Sequence, residues 1–137
     1  MRLISLFSLI IFLGCAPAKK TASSAGKLNG TWVPVSLEID GAQLPKASFE
    51  KQKLIISDSA YTYMAESVDK GVVRYEADKI DIYGKEGVNA GKHFTAIYKM
   101  ENGQLRICYN LAGDKYPESF ETKGKPMYFM AVFKKEY

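Results

Sequence analysis

Residues 94–110 read FTAIYKMENGQLRICYN, and this stretch decides the fold. Phe94, Ala96, Tyr98 and Met100 alternate with Thr95, Ile97 and Lys99. After Asn102-Gly103, Leu105, Ile107 and Tyr109 alternate with Arg106, Cys108 and Asn110. A period of two places successive side chains on opposite faces of a strand. Asn-Gly between two such runs predicts a hairpin, because a type I′ turn needs positive φ at both central residues. Pairing across that turn sets Cys108 against Ile97 and makes Tyr98 and Tyr109 near neighbours on one face.

The same alternation extends both ways. Leu54 and Ile56 alternate with Lys53, Ile55 and Ser57, and Val73, Tyr75 and Ala77 with Arg74 and Glu76. Ile80 and Ile82 alternate with Lys79 and Asp81, and Met127, Phe129, Ala131 and Phe133 with Tyr128, Met130, Val132 and Lys134. Thr31 to Ile39 and Tyr61 to Ala65 complete a set of about eight strands. Asp40-Gly41 ends the first strand, Asp58-Ser59 makes a tight turn, and Lys70-Gly71 opens the next strand. Lys46–Gln52 reads as at most one short helical turn. Long gaps fall near Gly84–Lys92 and Ala112–Pro126. The pattern implies an all-β domain, an antiparallel barrel or sandwich.

Composition narrows the function classes. The chain has 137 residues and 47% hydrophobic content, enough for one domain. Its net charge of +4 is uneven: Arg2, Lys19, Lys20 and Lys27 precede Leu28, and the remaining 15 basic residues meet 15 acidic ones. A nucleic-acid binder carries its basic patch on the folded domain, so no nucleic-acid partner is expected. His93 is the sole histidine, which excludes a multi-histidine metal centre. No metal and no cofactor are expected.

Residues 3–13 form an eleven-residue apolar run broken only by Ser5 and Ser8. That is too short to span a bilayer and fits the h-region of a signal peptide. It ends in Phe12-Leu13-Gly14-Cys15, which resembles the lipobox of bacterial lipoproteins, with bulkier residues than usual at Phe12 and Leu13. The resemblance implies cleavage before Cys15 and lipid on its sulfur and amine. The expected organisation is a signal peptide over residues 1–14, lipidated Cys15 with a flexible tether through Lys27, and one domain from Leu28 to Tyr137. The tether is small, polar and basic, with a reach of roughly 20 Å. Ala16 after the cysteine implies outer-membrane sorting, facing the periplasm.

Gly30-Thr31-Trp32 resembles the G-x-W signature of lipocalins. Further matches follow in order: Asp40-Gly41, Gly91 leading to Ile97-Tyr98, Leu105-x-Ile107-Cys108, Pro117-x-x-Phe120-Glu121-Thr122 and Val132-Phe133-Lys134. Together they look like a small lipocalin-like domain family of bacterial envelope proteins, over Leu28 to Tyr137. The resemblance implies an up-and-down barrel of about eight antiparallel strands. It implies closure by Gly30 and Trp32, with Lys134 or its neighbour Lys135 over the indole and Lys134 as the expected partner. Tyr116 stands where that family usually has Arg. The family has no settled activity.

Cys108 has no partner once Cys15 carries lipid, and it reads as a small residue packed under a loop rather than a nucleophile. His93 reads as a solvated loop histidine, and Glu76, Asp78 and Asp81 as solvated edge charge. The aromatic set has more content. Tyr75, Phe94, Tyr98, Tyr109 and Phe129 fall in phase with the apolar positions of their strands and form the expected ligand-binding set. An eight-stranded barrel is wide enough to be filled by side chains or to hold one small ligand, and the short strands expected here favour filling. The functional reading is a non-enzymatic, membrane-anchored barrel for a small apolar or amphipathic ligand. The alternative is a filled barrel that contacts a protein partner through its long loops, with exposed aromatic tips at Tyr83 or Tyr116.

Overall fold

The computed structural model describes residues 24–137. Cys15, the apolar leader and most of the tether lie outside the described residues. Residues Ser24 to Lys27 wind with Leu28 into a 3-10 turn, and Leu28 is buried in the core.

Nine strands follow in chain order: β1 (Gly30–Ile39), β2 (Ala42–Gln43), β3 (Lys53–Ser57), β4 (Ala60–Met64), β5 (Val68–Glu76), β6 (Lys79–Glu86), β7 (His93–Glu101), β8 (Gln104–Asn110) and β9 (Tyr128–Glu136). Strands β3 to β9 each pair antiparallel with the next, β1 pairs with β3, and β9 returns to β1. The result is a closed eight-stranded barrel, with β2 an extra two-residue strand on β1. Closure removes every long sheet edge. The fold is the expected all-β, up-and-down barrel.

The hairpin in residues 94–110 has the expected register, with Ile97 opposite Cys108 and Ala96 opposite Tyr109. Asn102 and Gly103 have φ of 53° and 73°, as a type I′ turn requires. Pro34, which has no N–H to give a ladder, sits beside a bulge at Val35. The extra residue shifts the alternation by one, so Trp32 and Leu37, five positions apart, are both buried in the barrel core.

The two ends of the barrel are built differently. Two-residue turns at Asp58-Ser59, Ala77-Asp78 and Asn102-Gly103 gather at one end, together with Leu28 and the C terminus. The opposite end carries the longer connections: residues 44–52, 65–67, 87–92 and 111–127. The 111–127 loop folds down the outside wall. There Tyr116 and Phe120 pack on Ile97, Cys108 and Tyr128, a second small core outside the barrel.

Candidate functional site

The short-turn end is sealed. Trp32 is 2% exposed and its Nε1–H donates to the Leu28 carbonyl at 2.8 Å. Above the indole lies Lys135, with Nζ 5.6 Å from the ring centroid, a cation–π distance. Gly30 makes this possible: a Cβ there would come 2.6 Å from Lys135 Cε. The expected assignment to Lys134 is therefore corrected. Lys134 pairs with Val33 and is exposed, whereas Lys135 pairs with Trp32 and shares its face.

Above this plug the barrel is hollow. A cavity of about 690 Å³ runs through the lumen, within the range of small-molecule sites. The expectation of a filled barrel fails here. Barrel strands of five to ten residues suffice because several medium-sized residues (Val73, Ile80, Ile82) line the waist and leave it unfilled. Gly71 accommodates the Tyr61 ring, which lies where a Cβ would be, 2.6 Å from it. Leu111, Met127 and Lys92 belong to both the cavity wall and the exposed surface, so the cavity reaches solvent at the long-loop end.

Four of the five expected ligand-site residues line this space: Tyr75, Phe94, Tyr109 and Phe129. Tyr98 does not. Its hydroxyl donates to the Ala77 carbonyl at 3.0 Å, in the turn between β5 and β6, and its ring meets Tyr75 edge-on at 6.0 Å. Tyr98 pairs with Ile107 and so lies two residues nearer the Asn102-Gly103 turn than the Ala96–Tyr109 pair, which carries it to the sealed end. Tyr61 and Tyr63 belong in the lining and were missing from the expected set. Their in-phase positions opposite Ile56 and Leu54 were the available signal.

Polar groups cluster toward the mouth. Gln52 accepts a hydrogen bond from the Tyr63 hydroxyl. Asp69, 5% exposed, accepts the Asn89 backbone N–H at 2.9 Å and so ties the 87–92 loop to the wall. Lys92 is the single cationic side chain of the lining. Nothing in the local sequence marked these residues, because Gln52 and Lys92 come from loops whose path depends on the closed barrel and Asp69 is bonded to one of those loops.

Burial governs the lumen tyrosines. It pushes the Tyr63 and Tyr75 phenols up to about 12, with the neighbouring Tyr98 adding to the effect on Tyr75. It also raises Tyr109, near the hydroxyls of Tyr63, Tyr75 and Tyr61, and raises Tyr61, with the Asp69 carboxylate contributing. These groups stay protonated at neutral pH and offer neutral O–H donors to an apolar space.

Outside the wall the expectation of solvated charge at Asp81 and His93 is also corrected. His93 Nε2 and Asp81 Oδ1 are 2.7 Å apart, and Tyr116 donates to Asp81 Oδ2 at 2.5 Å. Tyr83 stacks on His93 at 4.6 Å, so neither Tyr83 nor Tyr116 is an exposed tip. Burial alone would raise the Asp81 carboxyl, but the Tyr116 and His93 hydrogen bonds outweigh it and hold the group below its ordinary value. The reason is register: Tyr83 pairs with His93 and Asp81 with Thr95, which brings these residues together on one face. By contrast Glu76 and Asp78 are exposed, as expected, with Glu76 paired to Lys79 across the turn.

Cys108 is fully buried under the 111–127 loop, and burial pushes its thiol up to about 11. A thiol held in that form is a packing group rather than a nucleophile. Among the described residues no three His, Cys, Asp or Glu side chains converge on a metal-sized site. Comparison with protein-family models, curated proteins and solved structures returns no match to this chain, so its function rests on the geometry of the hollow barrel.

Proposed function

We propose that this protein is a binding protein of the bacterial envelope, which holds one small apolar or amphipathic molecule inside its barrel and is anchored to the outer membrane through lipid on Cys15. The cavity of about 690 Å³ carries this reading. Its walls are mainly hydrocarbon and aromatic rings, its few polar groups sit at defined positions, and one end is open. That is the usual make-up of a small-molecule site. The half-buried positions of Tyr83 and Tyr116 remove the exposed aromatic tips on which the filled, protein-binding alternative depended.

The chain direction adds a constraint. Leu28 enters the barrel at the sealed end, so an anchor at Cys15 attaches opposite the mouth. Six exposed apolar residues border that mouth or its loops: Ile39, Met64, Val68, Val88, Leu111 and Met127. They form an apolar approach to the lumen.

Native mass spectrometry of the full-length protein purified from its own host tests the reading. The expected result is a non-covalent small-molecule adduct on a chain that begins at acylated Cys15. Cys15→Ala is expected to abolish the acyl mass and release the protein from the membrane fraction. An adduct-free barrel with no acyl group overturns both halves of the proposal.

A further inference from the structure

Asp69 is the one acidic side chain of the cavity wall among the described residues, and it is 5% exposed. It is the second residue of β5, next to the 65–67 connection, and so stands at the mouth end of the lumen. Across the ladder it pairs with Tyr63, while Tyr61 pairs with Gly71, two residues further along. Tyr61, Tyr63 and Asp69 all line the cavity, and side chains at such positions on one face are neighbours. The carboxylate is close enough to help raise the Tyr61 phenol.

Only half of this carboxylate is used. Oδ1 accepts the Asn89 backbone N–H at 2.9 Å. Among the described residues Oδ2 has no hydrogen-bond partner, and Asp69 belongs to none of the ion pairs. The hydroxyls of Tyr61 and Tyr109 are unpaired in the same way. None of these three atoms is sealed off: the unpaired side-chain atoms without accessible surface are the Tyr75 hydroxyl and Arg106 Nε. Holding the 87–92 loop does not call for a charge, because an asparagine would accept the same N–H. A buried carboxylate is costly unless a cation or several donors meet it. Lys92, the single cationic residue of the lining, is exposed and turns its Nζ to Asn89 Oδ1 at 3.5 Å instead.

The free oxygen of Asp69 calls for a donor, and its charge calls for a cation. Below it the wall is hydrocarbon, from Val73, Ile80, Ile82 and Ile107. A molecule with a protonated amine at one end of an apolar body answers both parts. Its N–H groups can donate to Asp69 Oδ2 and to the Tyr61 hydroxyl oxygen, and the neighbouring tyrosine rings add cation–π attraction. The head stays near the mouth, where it gives up least hydration. A carboxylate or phosphate head would meet Asp69 as a like charge in a low-dielectric space. We infer that the ligand is a cationic amphiphile, its ammonium head paired with Asp69 at the mouth and its hydrocarbon body in the lumen. This rests on the cavity being a ligand site, and it names the ligand class.

Decylamine, decanol and decanoic acid share a hydrocarbon chain and differ in head group. Each is titrated, below its micelle concentration, against the wild-type protein loaded with the dye N-phenyl-1-naphthylamine, and dye displacement gives its affinity. Decylamine, protonated at neutral pH, is expected to bind tightest. Asp69→Asn is expected to weaken it about tenfold or more, the range for one hydrogen bond to a charged group. Decanol and the dye should bind that variant as they bind the wild type, and its melting temperature should be unchanged, since asparagine still accepts the Asn89 N–H. Nuclear Overhauser contacts on the wild type need no variant: the methylene beside the nitrogen should contact the Tyr61 and Tyr63 rings, and the terminal methyl should contact Ile80 or Ile107. Decanol or decanoic acid binding as tightly as decylamine, the result if water alone satisfies Asp69, overturns the inference and leaves the lumen site standing. So does a decylamine affinity that survives Asp69→Asn, or a head methylene that contacts Ile80 or Ile107 instead. Failure of the dye and all three probes to bind the wild type overturns the ligand site itself, and the inference with it.

Discussion

The two ends of this barrel solve opposite problems. At the sealed end, tight turns, Trp32 and Leu28 fill the space, and Lys135 covers the indole. At the open end, longer loops hold polar side chains around a mouth and leave the lumen empty. The sealed end is stabilised by an indole bonded four residues back, turns with positive φ, and a glycine on β1 that admits a lysine from β9. The open end depends on side-chain hydrogen bonds that hold its loops, some within a loop and some back to β1 and the turn after it. Asn110 bonds Asp114 and the Lys115 carbonyl, Thr122 bonds Glu38, and Gly124 bonds Asp40. Stability is concentrated at one end, and the space for function at the other.

Removing the plug should break the comparison most severely. Trp32→Ala is expected to cost about 3–5 kcal/mol, a large part of the 5–15 kcal/mol typical of a domain (roughly). Urea denaturation measures it, and a midpoint close to that of the wild type would remove the sealed end's claim to hold the fold.

Asn110→Ala attacks the open end. Asn110 is 2% exposed, and its side chain also accepts the Ala112 N–H at 3.0 Å. Its loss leaves buried partners unpaired, at a cost of about 1–3 kcal/mol. Faster amide exchange is expected in residues 111–127, with the Asn102-Gly103 hairpin unchanged. Equal loosening at both ends would show that they are not independent.

Much of the sealed end was legible in the sequence, and less of the open end. Alternation identified the strands, and Asn102-Gly103 set the register between β7 and β8. Gly30 and Trp32 stand at the sealed end, where Trp32 is buried and Gly30 gives room to Lys135. The choice of Lys134 over Lys135 was avoidable, since Lys135 and not Lys134 shares parity with the inward Phe133. The Val35 bulge was not visible in the pattern, because it depends on how β9 meets β1. The cluster of Asp81, His93 and Tyr116 was hidden for a related reason. It needs the register of β6 against β7 across a six-residue loop, 87–92, and the return of the long loop over the wall. Cavity volume is harder still: it is the difference between barrel diameter and summed side-chain volumes, and no single residue reports it.

A smaller effect sharpens the sealed end. Ala77 has φ of 53° in the β5–β6 turn, a left-handed conformation that costs a residue with a Cβ about 1–2 kcal/mol. Ala77→Gly relieves that strain but frees the unfolded chain. A net gain of about 0.5–1 kcal/mol is expected from these two terms, read as a higher melting temperature. A loss would mean that the turn relies on the Ala77 methyl.

The smallest effect concerns the outer wall. Asp81 has a folded-state value below its ordinary 3.8, so the unfolded chain binds protons more readily. Its contribution is complete above that ordinary value and is lost as the pH falls through the lower folded value. The stability difference between wild type and Asp81→Asn should therefore shrink on acidification across that window. A difference independent of pH would show that Asp81 acts through packing alone.

The central claim is that the lumen is an open ligand site. Titration with the uncharged dye N-phenyl-1-naphthylamine tests it most directly, on the wild type and on Val73→Phe, which places a ring at the waist of the cavity without touching the mouth. The account predicts saturable binding of one dye per barrel in the wild type, and binding weaker by about tenfold or more in the variant, because the remaining space no longer admits it. Both proteins should still unfold cooperatively. Dye binding that is absent from the wild type, or equally strong in Val73→Phe, would contradict the account.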